Sequence, residues 1–234
     1  MKLLLSGGGS EKDSRLLDEL LVDLIPDRKD LLYIPLAMDK SKYKDCYSWM
    51  TKTLESLKFG PERIVMWTGL ENKEYKDIKN FGAIYIGGGN TFRLLYLLRK
   101  TKFDKILIKY AQNNGIIYGG SAGAIILGGD IMTSANTDKN EVNLKNTIGL
   151  NLINGYSIWC HYHKDDKNKI LNYIKQAKAP VIALREKTGI FVTDNKIKVV
   201  GFESLTIFFK NEELTFHPNK SIRFPLRKDG KSKR

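Results

Sequence analysis

The chain of 234 residues is 42% hydrophobic and 28% charged, with a formal net charge of +13. This composition is typical of a globular protein rather than of a disordered or membrane protein. No apolar run approaches the length that crosses a bilayer as a helix, so no membrane partner is expected. The length favours one domain over residues 1–234, ending in a basic tail from about residue 223.

The cysteine content and the distribution of charge exclude further classes of protein and bear on its cellular location. Only Cys46 and Cys160 are present, which excludes a disulfide framework and a cysteine metal site. The 39 basic residues are spread along the chain and form no nucleic-acid motif, so no specific nucleic-acid partner is expected. The short apolar start runs directly into glycines, which predicts a first strand rather than a signal peptide. A cytoplasmic protein is therefore the expectation.

In the first half of the chain, short apolar runs alternate with amphipathic stretches. This alternation predicts an α/β fold with a mostly parallel sheet flanked by helices. The predicted strands are 2–5, 31–35, 63–68, 83–86 and 115–118. The predicted helices are 15–24, 43–57, 91–99 and 122–127.

The later part of the chain has short apolar runs separated by turn signals such as Asp194-Asn195. The strands predicted here are 157–160, 181–184, 189–193, 196–200 and 206–209. Because short strands joined by tight turns favour antiparallel pairing, some antiparallel or edge strands are expected late in the chain.

The segment 119–123, with the sequence GGSAG, lies between a strand of β-branched residues and a small apolar helix. This is the setting of a nucleophile elbow, in which a sharp turn raises a serine above the carboxyl end of a strand. The neighbours of Ser121 are glycine or alanine, as such a turn requires. An incidental serine in a glycine turn is the alternative, and five small residues in register argue against it.

A second glycine turn, Gly87-Gly88-Gly89-Asn90, follows the preceding predicted strand. Because neighbouring parallel strands end at one edge of a sheet, this turn is expected beside the elbow. It is a candidate to supply one backbone N–H to an oxyanion hole, with Ala122 N–H as the other. Phosphate binding is the alternative, but the turn lacks a P-loop lysine and the dinucleotide-loop spacing. The glycine turn 7–9 has the same ambiguity.

A serine nucleophile needs a general base, and the chain has three histidines. His217 precedes a proline in a polar region and is expected at the surface. His161 and His163 follow the predicted strand 157–160, so one of them is expected at the functional edge; a structural histidine is the alternative. Spacing alone leaves the orienting carboxylate open among Asp130, Asp138, Asp165, Asp166 and Glu186. Glu186 has the advantage of following a buried strand.

Four segments together resemble the aspartyl dipeptidase (peptidase E) family, to which the cyanophycinases are more distantly related. They are 86–92 (IGGGNTF), 120–124 (GSAGA), 160–162 (CHY) and 184–186 (LRE). The resemblance extends over nearly the full length and implies a fold related to class I glutamine amidotransferases, with a Ser-His-Glu triad. By motif position it implies Ser121 as nucleophile, His161 as general base and Glu186 as its orienting group, with Gly88 and Ala122 forming the oxyanion hole.

The order of these residues distinguishes the chain from other hydrolases. Serine, histidine and then acid is not the order of α/β-hydrolases. A glutamine amidotransferase would carry cysteine at the elbow and glutamate in place of His163. The chain departs from the pattern of the family it resembles at Cys160, where a proline is frequent, and at Asn136, where an aspartate has been considered as a triad member. Asp138 lies close to that position, and the departure favours Glu186 over it.

The resemblance implies a serine peptidase that hydrolyses small peptides, namely dipeptides with an N-terminal aspartate, without a metal or organic cofactor. Such a substrate needs a cationic partner, which the sequence leaves unassigned. Two alternatives stay open: a non-catalytic binding protein on the same fold, and an esterase or amidase acting on small non-peptide substrates. A homodimer also stays open, because the apolar helix face 94–98 fits either a core or an interface.

Overall fold

The structure is a computed structural model that describes residues 1–194, 196–210 and 212–224. Its strands are β1 (Lys2–Ser6), β2 (Leu31–Ile34), β3 (Ile64–Met66), β4 (Ala83–Ile86), β5 (Ile116–Gly120), β6 (Ser157–Trp159), β7 (Val181–Ala183), β8 (Thr188–Thr193), β9 (Lys196–Gly201), β10 (Leu205–Phe208), β11 (Glu213–Phe216) and β12 (Ser221–Arg223). Its helices are α1 (Glu11–Leu24), α2 (Tyr43–Glu55), α3 (Tyr75–Ile78), α4 (Thr91–Lys100), α5 (Phe103–Gln112), α6 (Ala122–Leu127) and α7 (Lys167–Ala177). Most of the predicted basic tail, residues 225–234, lies outside the described residues, as does Asn195 of the predicted turn.

A large sheet has the strand order β12-β9-β8-β1-β5-β4-β2-β3. The strands β1, β5, β4, β2 and β3 run parallel to one another, whereas β8 pairs antiparallel with β1 and is followed by β9 and β12, also in antiparallel pairing. The central strands β2 and β4 are buried at every position, as expected where helices cover both faces of a parallel sheet. This confirms the predicted α/β class and the late antiparallel strands.

A second sheet has the order β11-β10-β7-β6 and was not predicted as a separate unit. In this sheet β6 and β7 are parallel, while β10 pairs antiparallel with both β7 and β11. Helices α3, α5 and α7 and strands β11 and β12 were also not predicted from the sequence. Helix α5 could have been predicted, because its buried residues follow helical spacing: Phe103, Leu107, Tyr110 and Ala111.

One hydrophobic core connects the two sheets. It contains Ile117 of the large sheet together with Ile158, Ile182 and Ile207 of the small sheet, and all four side chains are fully buried. The helix face 94–98 belongs to the same core, since Leu94, Leu95 and Leu98 are buried within the chain. This face of α4 is therefore covered by other residues of the same chain. In the described residues no helix is long and apolar enough to cross a bilayer.

A second core, on the side of the large sheet covered by α1 and α2, contains a layer of buried tyrosines. Tyr85 and Tyr118 are stacked, with ring centroids 4.2 Å apart. Asp18 of α1 points into the same region and is 1% exposed, with its Oδ2 accepting a hydrogen bond from Ser14 Oγ at 2.7 Å. Burial raises the pKa of Asp18 to about 6, although the hydrogen bond from Ser14 opposes this shift.

This buried carboxyl makes the free energy of unfolding depend on pH. Because the pKa of Asp18 is higher in the folded chain, its contribution is complete below about pH 4 and is lost as the pH rises through about 6. Between about pH 4.5 and pH 7.5, we expect wild type to lose about 2 kcal/mol relative to Asp18→Asn. Urea denaturation of both proteins at several pH values measures the difference. Parallel pH curves for the two proteins would contradict the prediction.

Candidate active site

Ser121 occupies the tight turn between β5 and α6. Its backbone has φ +48° and ψ −110°, a conformation that costs free energy in a residue other than glycine. The surrounding backbone fixes it there: Ser121 N–H donates to Ser6 O at 3.2 Å, and Ser121 O accepts from Ala124 N–H at 2.8 Å. The serine side chain is thereby presented at the carboxyl end of β5.

The small residues around Ser121 allow α6 to pack directly on the sheet. A Cβ atom on Gly119 would lie 2.5 Å from Gly123 O, and a Cβ atom on Gly123 would lie 2.1 Å from Ile86 O. Both distances are to backbone atoms, which cannot move aside as a flexible side chain can. The elbow therefore requires glycine at these two positions for steric reasons.

His161 lies two residues beyond the end of β6 and contacts the elbow serine. Its Nε2 atom is 2.9 Å from Ser121 Oγ, and its Nδ1 atom is 3.0 Å from Glu186 Oε1. With the carboxylate accepting from Nδ1–H, Nε2 is left to accept the hydrogen bond that the serine hydroxyl donates. The three side chains form a continuous hydrogen-bonded chain.

These three residues come from the ends of three strands in two sheets. Ser121 follows β5 of the large sheet, while His161 follows β6 and Glu186 follows β7 of the small sheet. Because β6 and β7 are parallel neighbours, their following loops leave the sheet side by side. The candidate site is therefore located where the carboxyl ends of the two sheets meet.

The first glycine turn supports the imidazole of His161. Gly7 O accepts a hydrogen bond from His161 N–H at 2.9 Å. A Cβ atom on Gly8 would lie 2.1 Å from His161 Cε1, and Gly8 has φ +107°, so glycine is required here on two grounds. The contact between these glycines and the histidine was not predicted from the sequence.

The other carboxylates considered from the sequence have different partners. Asp138 Oδ2 accepts from Thr91 N–H at 2.7 Å, and Asp130 Oδ1 accepts from Met132 N–H at 2.7 Å. Asp166 accepts from His163 N–H and pairs with Lys169. Within the described part of the chain, Asp165 makes no side-chain hydrogen bond or ion pair, and none of the four contacts the imidazole of His161.

The remaining histidines lie away from the serine. His163 precedes the short helical turn that leads into α7, and its backbone N–H is bound by Asp166. His217 is exposed, as predicted, with its Nδ1 atom 3.1 Å from Ser204 Oγ. Of the three histidines, His161 is the one in contact with Ser121.

Gly88 lies near the Ser121 side chain, and Ala122 follows Ser121 as the first residue of α6. The turn that contains Gly88 follows β4, which pairs directly with β5. A Cβ atom on Gly88 would lie 3.3 Å from Ser121 Cβ, so the two backbones approach closely. Among the residues that the structure describes, neither the Gly88 nor the Ala122 N–H donates a hydrogen bond.

A cavity of about 400 Å³ opens beside Ser121 and His161. Cys160 is one of the residues that line it. Its buried thiol donates weakly to Ser6 O and Ser121 O. Burial raises the pKa of this thiol well above its usual range. Polar and charged side chains also line the cavity: Thr91, Thr133, Ser134, Asn136, Thr137, Asp138, Asp166 and Lys169. In the described chain, no group of three or more metal-binding side chains is suitably placed for a metal ion.

Comparison with known proteins identifies relatives of the whole chain. The family model of peptidase family S51 matches residues 2–200. A peptidase E from Nostoc sp. is 25% identical over 209 residues, covering 85% of this chain and 84% of the relative. A peptidase E from Pasteurella multocida is 25% identical over 232 residues, covering 94% and 97%. The crystal structure of a peptidase from an acI-B1 actinobacterium has the same fold, with a TM-score of 0.72, 20% identity and coverage of 95% and 96%.

The close packing of the elbow makes a stability prediction. Gly123→Ala should lower the free energy of unfolding by about 1–3 kcal/mol, because the new methyl group collides with Ile86 O. Gly69→Ala is a matched control, since a Cβ atom there meets only the flexible end of Glu71, and we expect a change within about 0.5 kcal/mol. Urea denaturation measures both changes. Equal stabilities of the two variants would show that the elbow is not sterically constrained.

Proposed function

Because this chain belongs to peptidase family S51 and is a serine-type peptidase, we propose that Ser121, His161 and Glu186 are its catalytic triad. The observation that supports this most directly is the hydrogen-bonded chain from hydroxyl to imidazole to carboxylate, with distances of 2.9 and 3.0 Å. Membership of a peptidase family also favours an enzyme over the non-catalytic binding protein considered from the sequence.

In the proposed acylation step, Ser121 Oγ attacks the carbonyl carbon of the scissile peptide bond while His161 Nε2 takes the hydroxyl proton. The carbonyl oxygen becomes an oxyanion, and the free N–H groups of Gly88 and Ala122 are the proposed donors to it. Glu186 holds the proton on Nδ1 and stabilises the imidazolium that forms. When the intermediate collapses, the C–N bond breaks and His161 returns its proton to the leaving amine.

In the proposed deacylation step, water replaces the amine. His161 takes a proton from the water molecule as its oxygen attacks the acyl carbon. The second oxyanion collapses, the ester bond to Ser121 Oγ breaks, and the proton returns to the serine. The products are a carboxylic acid and the free enzyme.

For the substrate, we propose small peptides with an N-terminal aspartate, and Lys169 as the partner of the aspartate side chain. Among the described residues that line the cavity beside Ser121, Lys169 is the only lysine or arginine. Its ammonium group is 2.8 Å from Oδ1 of Asp166, another residue that lines the cavity, so a positive charge is present there before substrate binds. An esterase or amidase acting on small non-peptide substrates has the same triad, and a substrate panel on the purified protein separates the two.

Replacement of triad residues tests the mechanism. We expect Ser121→Ala to lower kcat for Asp-Leu by a factor on the order of 10⁴ or more, because no nucleophile remains. Glu186→Gln should lower kcat by roughly 10³-fold, since a glutamine amide can hold the wrong histidine tautomer. His217→Asn is the control and should retain wild-type kcat. Full activity of the Ser121→Ala protein would exclude the proposed nucleophile.

Replacement of Lys169 tests the substrate assignment. Lys169→Met should lower kcat/KM for Asp-Leu about 10- to 100-fold and leave kcat/KM for Leu-Leu unchanged or higher, because only the aspartate substrate has a charge to pair. Lys175→Met, an exposed change on the same helix, is the matched control. A loss that is equal for both dipeptides would assign Lys169 a structural role instead.

A further inference from the structure

We propose that a second cavity, separate from the one beside Ser121, binds a free acidic amino acid. The second cavity has a volume of about 740 Å³, which is within the range of about 300–1,000 Å³ that is usual for small-molecule sites. Of the residues that the structure describes, none lines both cavities. The ligand class includes the amino acid that the proposed dipeptide hydrolysis releases, but the inference rests on the lining of this cavity and not on that reaction.

The second cavity lies between the small sheet and the segment that leads into α7. Thr206 of β10 lines it and is directly opposite both Ala183 of β7 and Thr215 of β11. Directly opposed residues of neighbouring strands share a face of the sheet, so these three side chains are on one face. Helix α7 packs in one cluster with Ala183, and Lys167 at the start of this helix also lines the cavity. The sheet and the helix thus form two walls of the cavity.

The two loops that carry triad residues of the small sheet also contribute to the second cavity. Tyr162 directly follows His161, and Arg185 directly precedes Glu186; Tyr162 and Arg185 line the cavity, whereas His161 and Glu186 do not. Arg185 Cζ lies 5.3 Å from the centre of the Tyr162 ring, so the two loops are in contact through these side chains. The second cavity is therefore next to the triad without including it.

Side chains of both charges line the second cavity, in unequal numbers. The cations are Lys164, Lys167 and Arg185, and the carboxylates are Glu203 and Glu213. Lys167 Nζ is 3.0 Å from Glu213 Oε2, and Arg185 Nε is 4.0 Å from Glu203 Oε2. Lys164 forms no ion pair with any residue in the described part of the chain. The lining therefore has a net charge of +1, and its unmatched charge is the ammonium group of Lys164.

An acidic amino acid has the complementary set of charges. At neutral pH it carries two carboxylates and one ammonium group, which gives a net charge of −1. An amino acid with an uncharged side chain would leave Lys164 unmatched. A phosphate ion would match the cations but would bring no positive group to the two carboxylates. Because complementary charges determine which ligand a site prefers, the lining favours an acidic amino acid over both of these.

Arg185 is held in place while part of its guanidinium stays available. The ring of Tyr162 lies against the guanidinium, and Glu203 is on the side of Nε. The two terminal nitrogens donate no hydrogen bond to another residue among those described. A guanidinium with free terminal nitrogens matches a carboxylate bidentately. We therefore assign the ligand's α-carboxylate to Arg185, its ammonium group to Glu203 and its side-chain carboxylate to Lys164.

Hydroxyl groups beside these charges add further hydrogen-bonding capacity. Tyr162, Thr206 and Thr215 all line the second cavity, and within the described ranges their hydroxyls have no hydrogen-bond partner. Tyr162 and Thr206 are largely buried, with exposures of 6% and 8%. A hydroxyl can both donate and accept, so each of them can pair with either end of an amino acid. The cavity thus offers neutral partners as well as charged ones.

Calorimetric titration of L-aspartate and L-asparagine tests the proposal, because these ligands differ in the charge of the side chain. All titrations use a Lys169→Met protein, whose catalytic cavity lacks its lysine. We expect aspartate to bind about fivefold more tightly than asparagine. Adding Lys164→Gln should make the two affinities equal, whereas adding Lys175→Gln, an exposed change on α7, should leave the difference. Adding Arg185→Gln should weaken the binding of both ligands roughly tenfold.

Melting temperatures of all the variants verify that each one is folded. The proposal is overturned if the Lys169→Met protein binds neither ligand, if it binds both equally, or if the preference for aspartate survives Lys164→Gln. Binding by the wild-type protein that disappears with Lys169→Met would place the amino acid in the catalytic cavity and also overturn it. Failure of the proposed function is recognised separately, as an absence of dipeptide hydrolysis by the wild-type protein, since none of these titrations measures turnover.

Discussion

The hydrogen bond between Ser121 and His161 joins two sheets that are assembled from different parts of the chain. The serine depends on β5 and the large parallel sheet, while the histidine and Glu186 depend on β6 and β7 of the small sheet. Their common core fixes the distance between the two strand ends, because buried side chains of both sheets pack in one cluster. The distance between the serine and the histidine is therefore a consequence of how the two sheets pack.

Close backbone approach is what allows the three loops to meet at this point. An added Cβ atom would meet the imidazole of His161 at Gly8, Ile86 O at Gly123 and the side chain of Ser121 at Gly88. At each of these positions a residue larger than glycine would come too close to that neighbouring atom. The strained φ of Ser121 and the left-handed φ of His161 are held by hydrogen bonds to Ser6 O and Gly7 O, both at the end of β1. The strand β1 thus supports both residues without contributing a reactive group.

Much of this arrangement could be predicted from the sequence, because its signals are local. The elbow, the glycine turn after β4 and the central strands are each encoded by a few adjacent residues, and β4 and α6 were predicted to the residue. The second sheet was not predicted, since β7 pairs with β6 and with β10, which are distant from it along the chain, and such pairing leaves no periodic pattern in the sequence. Spacing alone also could not choose between Asp138 and Glu186. That choice depends on which loop reaches the imidazole, and Asp138 is instead held at the start of α4.

In the proposed mechanism, His161 and Glu186 activate the hydroxyl of Ser121 for attack on an acyl group. The most direct measurement is reaction of the purified protein with a fluorophosphonate, followed by mass spectrometry of its peptides, since such reagents modify only a serine that has been activated. We expect one adduct, on the peptide that contains Ser121, and its loss in a His161→Ala protein. An unmodified Ser121 in the folded wild-type protein, or an adduct whose rate of formation does not depend on His161, would contradict it.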